Sequence, residues 1–380
     1  MTFKELILSN MNTISHSIVQ KRDKVYLDFL RIIAIFFVVY NHTPGFYFLP
    51  YSDCGEIGYW GLLILEQVVK MAVPLFLMVT GALLLHREES IKDLLCKRIS
   101  RFALAIIIIA FVQYMFSFYR EAETCAMGFS ISRALFHGLR CFGASWFLFA
   151  YMGILLMLPV LRAIAKALPS HTFLYIFGIQ IVFCCILPLG EMIATEKCVG
   201  SHAFLYWLPF HAKGETLPYS AGYCAFYVLM GYYLEHRVPL TLWHKRRYIL
   251  IGIASLIVGA ICIWVANLLS GQQTIHESVI FLTAFLPFPC AVVYMSLKSA
   301  CINRQFKPLA RKIIASLGGA VFTVMCIENL FRIQWFGIYK DLLPEIGRVP
   351  AALVFSAAVY GSALIVGLIV KRIPYLNRIF

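Results

Sequence analysis

The segment YLDFLRIIAIFFVVYNHTPGFYF, residues 26 to 48, is apolar enough to cross a bilayer yet holds Asp28, Arg31 and His42. Ionisable groups at membrane depth are costly and as a rule face a bundle interior or a wet cavity, so each marks a candidate site. On a helix rising about 1.5 Å per residue, Arg31 lies roughly 8 Å from the inner end of such a span and His42 roughly 24 Å from it. The interval from residue 31 to residue 42 turns an ideal helix through about three full turns plus 20°. Arg31 and His42 therefore share a face, with Asp28 one turn below Arg31. Pro44 and Gly45 follow, and should end or kink the helix just beyond His42.

Other apolar runs bring charge to matching depths: Glu66 and Lys70 in one, Glu328 and Arg332 in another. The run CKRISR offers Lys97, Arg98 and Arg101, and its RxxR spacing sets both arginines on one helix face as a fork suited to phosphate. Plainer readings stand beside these. Asp28 with Arg31, Glu66 with Lys70, and Glu328 with Arg332 are each spaced for an intrahelical ion pair that would serve packing alone. Basic residues at helix ends are ordinary topology signals, and a hydrogen bond to a neighbouring helix would account for His42 equally well.

These residues need a scaffold, and the composition says which kind. With 61% hydrophobic residues, 14% charged and a mean hydropathy of +0.79, the chain is a polytopic membrane protein. Its net charge of +14 falls in short clusters between apolar runs, the pattern of positive-inside topology, which argues against nucleic acid as a partner. Runs of about 18 to 25 apolar residues predict an all-α bundle of about ten transmembrane helices. They lie at roughly 26 to 48, 60 to 85, 101 to 119, 146 to 165, 172 to 190, 219 to 235, 248 to 268, 278 to 297, 313 to 335 and 350 to 370. Placing both termini in the cytoplasm puts most of the 33 Lys and Arg on that side. The organisation expected is a cytoplasmic tail over 1–25, a transmembrane domain over 26–372 and a short cytoplasmic tail over 373–380.

The first 25 residues lack an apolar core ending in a small-residue cleavage site, so they read as a tail and not as a signal peptide. The twelve cysteines form no CxxC pair and show no metal-ligand spacing, so no metal is implied. Cys54, Cys125, Cys141 and Cys198 fall in predicted outer loops, where Cys125 and Cys141 could pair. The longest outer segments, about 120 to 145 and 191 to 218, contain aromatic stretches such as HAFLYWLPFH that could cover a site.

The chain resembles the acyltransferase-3 family of bacterial membrane acyltransferases. YLDFLRIIAIFFVVYNH is similar to that family's first-helix signature, and KMAVPLFLMVTGALLL to its second, with Lys70 where an Arg is common and Thr80-Gly81 for Ser-Gly. KRISR matches its RxxR element, WFLFAYMGILLMLPVLR its fourth-helix pattern, and YCAFYVLMGYYLEH a later Gly-Tyr-rich one. Two departures stand out. GASWFL lacks the His often found before Trp-Phe-Leu, and AVFTVMCIEN places Glu328 where members commonly carry a His.

The resemblance implies a multi-pass protein of the bacterial inner membrane that moves an acyl group, by default acetyl, from cytoplasmic acyl-CoA to a hydroxyl of a glycan or lipid-linked sugar. Lys97, Arg98 and Arg101 would then hold CoA phosphates. His42 would be the catalytic base or an acyl carrier, supported by Arg31 and Asp28. Glu66, Lys70, Glu328, Arg332 and Trp146 would line the acceptor side. Acyl-CoA, the sugar acceptor and membrane lipids are the partners implied. The principal rival is a secondary transporter or exporter of an acylated small molecule or polysaccharide, since buried charges at both leaflets also describe a gated pathway. A membrane sensor or assembly scaffold is a third reading, for which the chain offers no signalling domain.

Overall fold

The computed structural model describes residues 24–43, 55–120, 130–132, 146–182, 186–187, 190, 221–270 and 284–379, and among these every regular element is helical. The principal helices are α1 (Val25–Asn41), α2 (Gly55–Lys70), α3 (Ala72–Leu84), α4 (Ser100–Arg120), α5 (Trp146–Ala167), α6 (Ser170–Ile181), α7 (Ala221–His236), α8 (Lys245–Ser270), α9 (Pro287–Ile302), α10 (Pro308–Ile346) and α11 (Arg348–Val370). A last helical turn, Leu376–Ile379, packs back on α4. The four outer-loop cysteines, the 202–211 aromatic stretch and residues 1–23 lie outside the described residues.

Six helical stretches among the described residues are long and apolar enough to cross a membrane. Leucines and isoleucines such as Ile107, Leu156, Leu250 and Ile365 stand exposed on their outer faces, as lipid requires. Several predicted spans are shorter than expected. α1 is 17 residues long and stops at Asn41, with His42 as its C-cap, so the predicted continuation to 48 is not helical through residues 42 and 43. α9, at 16 residues, also falls below a full span.

α1 occupies the middle of the bundle, touching α2, α3, α9, α10 and α11. Leu30, Ala34, Ile35 and Val39 on it are fully buried. The predicted span over 60–85 is present as one apolar helical stretch, Gly58–Leu84, with a single-residue turn at Met71 between α2 and α3. Pro74 causes that turn. Lacking an N–H, it cannot bond the Lys70 carbonyl four residues back, and its ring crowds that carbonyl. α3 then crosses α7 with almost no gap. A Cβ on Gly81 would strike the Val228 carbonyl, and one on Gly231 would strike the Met78 backbone. Small residues at such crossings let two backbones meet where the lipid offers no hydrophobic drive to associate.

The helix predicted over 313–335 runs much further. α10 has 39 residues, about 58 Å at 1.5 Å per residue, roughly twice a hydrocarbon core of about 30 Å. Its apolar stripe continues through Trp335, Tyr339, Leu342 and Leu343, which pack on Phe355 and Val359 of α11. The expected loop thus becomes a tight helical hairpin that turns at Gly347, whose φ of +80° suits a residue without a Cβ.

One face of the bundle collects the charged helix ends. Lys24 at the start of α1 meets Glu235 near the end of α7 at 2.8 Å, and Lys298 of α9 reaches the same carboxylate at 3.2 Å. The start of α10 abuts that of α1, because a Cβ on Gly318 would meet Asp28. Lys371, just after α11, lies over Gly319. The N-terminal end of α1 and the C-terminal end of α11 therefore share this face, as do Leu84, Arg98 and Arg162.

Candidate active site

A cavity of about 410 Å³ opens among the basic residues of this face. Arg87, Lys97, Arg98 and Arg101 line it, joined by Arg31 of α1, and no Asp or Glu is in its wall among the described residues. Deeper in, the lining becomes aromatic and aliphatic: Phe76 and Thr80 of α3, Phe102 of α4, Phe147, Tyr151 and Leu155 of α5, and Phe322 and Met325 of α10. The Phe102 ring sits 5.2 Å from both Tyr151 and Phe322, so the wall is a continuous aromatic surface. From Leu84 to Phe76 along α3 the lining extends over about 12 Å. A polyanion with a long, weakly polar arm is the shape of ligand this gradient suits.

The run that carries the basic fork is not the plain α-helix its spacing suggests. Leu94–Ile99 is a π-helical segment between a first turn, Ile91–Asp93, and α4. Wider turns of this kind recur at functional sites. Here the segment still delivers Lys97, Arg98 and Arg101 to one cavity. Lys97 is held by Asp93 at 2.7 Å.

Glu89, in the turn before this segment, escaped the sequence reading. Both its carboxylate oxygens accept from Nε of Arg98 at 2.9 Å, and Oε2 also accepts from Arg162 at 3.0 Å. Arg162, buried on α5, donates through Nε to the Leu84 carbonyl. Burial would push the Glu89 carboxyl up, but the hydrogen bonds from Arg162 and Arg98 outweigh it and hold the group below the usual carboxylate range. With Nε of Arg98 engaged, its two terminal nitrogens stay available to the cavity.

At the other end of α1, His42 Nδ1 lies 2.8 Å from Glu328 Oε1 of α10. The histidine side chain is 21% exposed and the glutamate 4%. Two backbone contacts fix this end of the helix: His42 N–H reaches the Val38 and Val39 carbonyls. Thr43 then closes it, bonding the Tyr40 carbonyl at 2.6 Å and Ser356 of α11 at 3.2 Å. Glu328 Oε2 is buried with no hydrogen-bond partner among the described residues. α1 and α10 run in the same direction here, since Asp28 meets Gly318 and His42 meets Glu328.

The cavity follows α10 upward through Gly318, Val321 and Phe322 to Met325, one turn short of Glu328. The cavity lining includes neither His42 nor Glu328.

The predicted intrahelical pairs fare differently. Asp28 does bind Arg31, at 3.1 Å. Glu328 turns to His42, and Arg332, half-buried one turn further on, makes no ion pair among the described residues. Glu66 and Lys70 are buried at the end of α2, just before the turn at Met71. Trp146 sits in the first turn of α5 against Phe147 and is not part of the cavity wall, which on that helix is Phe147, Tyr151 and Leu155. Among the described residues, no three His, Cys, Asp or Glu side chains gather as metal ligands.

The acyltransferase domain of the acyltransferase-3 family matches residues 24–370, nearly the whole chain. The protein belongs to that family, and is a membrane acyltransferase by membership and by its apolar helices. No curated protein and no solved structure matches the chain.

Proposed function

We propose that the protein transfers an acyl group, by default acetyl, from acyl-CoA at the basic face to a hydroxyl of a glycan or related acceptor at the opposite face, with His42 as the base. The observation that carries the reading is the His42–Glu328 hydrogen bond, one turn beyond the end of a basic cavity whose described lining holds no carboxylate side chain. The reading takes the basic face as cytoplasmic, where acyl-CoA is found, on the positive-inside pattern of the sequence.

Arg98 and Arg101, with Lys97 and Arg87, take the CoA phosphates as charge-assisted hydrogen-bond donors. The pantetheine arm extends along the aromatic wall past Arg31, which Asp28 holds in place, and carries the thioester toward Met325 and the dyad.

Glu328 accepts the Nδ1 proton of His42 and so leaves the Nε2 lone pair facing the acceptor, the logic by which a carboxylate fixes the tautomer of a catalytic imidazole. His42 Nε2 removes the acceptor hydroxyl proton as that oxygen attacks the thioester carbonyl. The tetrahedral intermediate collapses, the C–S bond breaks, and the imidazolium returns the proton to the CoA thiolate. Arg332, without a carboxylate partner among the described residues and one turn on from Glu328, is the cation placed to stabilise the oxyanion. Glu328 Oε2, buried and without a hydrogen-bond partner among the described residues, offers an acceptor for a sugar hydroxyl.

A secondary transporter is the rival reading, since buried charges in a helical bundle also describe a gated pathway. Release of free CoA thiol separates the two. Purified wild type should release CoA from acetyl-CoA, and His42→Ala should abolish release while still binding CoA. Equal release by both proteins would remove His42 from the chemistry, and no release from a wild type that does not bind CoA would favour transport.

A further inference from the structure

Beyond α11 the chain makes a short strap, Lys371–Ile379, that the proposed transfer does not use. Its first residues are tied to the end of α11: Arg372 N–H bonds the Ile369 carbonyl at 2.8 Å, and Ile373 N–H the Val370 carbonyl at 3.1 Å. The strap then turns at Tyr375 and ends in the helical turn Leu376–Ile379 against α4. Ile379 enters the wall of the basic cavity, to which α4 gives Arg101 and Phe102. Two features make this strap a movable one. Tyr375 has a φ of +72°, the only positive value at a non-glycine residue among those described. A bulky residue rarely adopts that conformation, which persists only where its surroundings hold it. The ring of Tyr375 is 78% exposed and cannot do so. The hold comes from the turn that follows, through its partly buried Leu376 and Ile379. Among the described residues, no hydrogen bond or ion pair joins that turn to α4. Asn377 N–H and Arg378 N–H bond within the strap, to the Ile373 and Tyr375 carbonyls at 3.1 Å. A segment docked by a few apolar contacts alone opens at low cost.

We propose that the strap closes over the bound donor, with Tyr375 as its hinge and Ile379 as the apolar surface on which the donor's nucleobase rests. The inference rests on the proposed acyl-CoA donor. With the phosphates on Arg98 and Arg101 and the thioester arm running inward, the base is the part left at the mouth. It is flat and weakly polar, so contact with Ile379 removes apolar surface of both from water. That gain offsets the cost of holding Tyr375 left-handed, and opening at the same hinge lets the spent CoA leave.

The purified full chain in nanodiscs gives two readouts on the same samples: CoA affinity, and the rate at which trypsin cuts after Arg378, which is exposed. Protection is the ratio of that rate without and with a saturating probe, taken within each variant. The probes are CoA and adenosine 3′,5′-bisphosphate, which has the base and phosphates but no arm. In wild type each should protect by about tenfold, because cleavage needs the turn to open. Ile379→Ser should bind CoA about tenfold more weakly, the scale of one apolar contact, and lose the protection. Tyr375→Pro keeps Ile379, but its ring fixes φ at about −65°, so it cannot dock and should be cut quickly with or without CoA. Ile373→Ser, on the same strap but outside the cavity wall, should behave as wild type. CoA that binds wild type without slowing the cut would overturn the strap, as would protection that survives Ile379→Ser or Tyr375→Pro, or that is lost equally in Ile373→Ser. Protection by CoA and none by the bisphosphate would overturn the contact with the base. A wild type that does not bind CoA would remove the donor reading itself, a failure distinct from binding without protection.

Discussion

His42 and Glu328 stand 286 positions apart and meet at 2.8 Å. If the carboxylate orients the imidazole and offsets the charge it gains, Glu328→Gln should keep the fold and the CoA affinity yet lower turnover by about 10²–10⁴-fold, the usual worth of acid–base assistance. Unchanged turnover in that variant would make Glu328 a packing partner only. Each member of the pair was visible in the sequence as an ionisable group at membrane depth. The pairing was not, because helical periodicity tells which residues share a face and not which faces of distant helices meet. The spacing even favoured the wrong partner for Glu328, Arg332 one turn away. Glu89 was missed for a related reason: in a polar turn between spans its charge looked like solvent decoration. The one available signal was its place in HREES, just upstream of an arginine cluster in need of a carboxylate.

The helices themselves carry two further tests. At the α3–α7 crossing, Gly81→Ala puts a methyl group into the Val228 carbonyl and should cost about 1–3 kcal/mol, read as a lower thermal midpoint in detergent. Gly153→Ala on α5, where a Cβ meets open space, should cost nothing. Equal effects would remove the crossing from the account. The turn before α4 responds to pH through Glu89. Its carboxyl lies below the ordinary range when folded, so its contribution to stability is complete above the unfolded value, near 4.3, and fades as pH falls through the folded one. Glu89→Gln should therefore melt earlier than wild type at neutral pH, with the gap closing below about pH 4. A gap that widens in acid would contradict the ion-pair description. Helix positions were legible from apolar runs, whereas their ends and breaks were not. Pro74 lay in plain view inside a predicted span, but the long end of α10 depends on the mate it finds in α11.

For the molecule as a whole, the claim is that a donor bound at one face is used by a dyad near the other. Composition gave the membrane class, and the motifs along the chain gave the family that the match over residues 24–370 establishes. Neither could say that α1 and α10 run side by side in the same direction, the arrangement on which the proposed transfer from the basic cavity to the His–Glu pair depends. Inverted and right-side-out membrane vesicles from expressing cells, which retain the native acceptor, test this directly when given acetyl-CoA labelled in the acetyl group. Label should enter membrane-associated material only when the donor reaches the basic face, and both His42→Ala and Glu328→Gln should lose it while still binding CoA. Incorporation at wild-type level in His42→Ala, or only with the donor on the opposite face, would contradict the account.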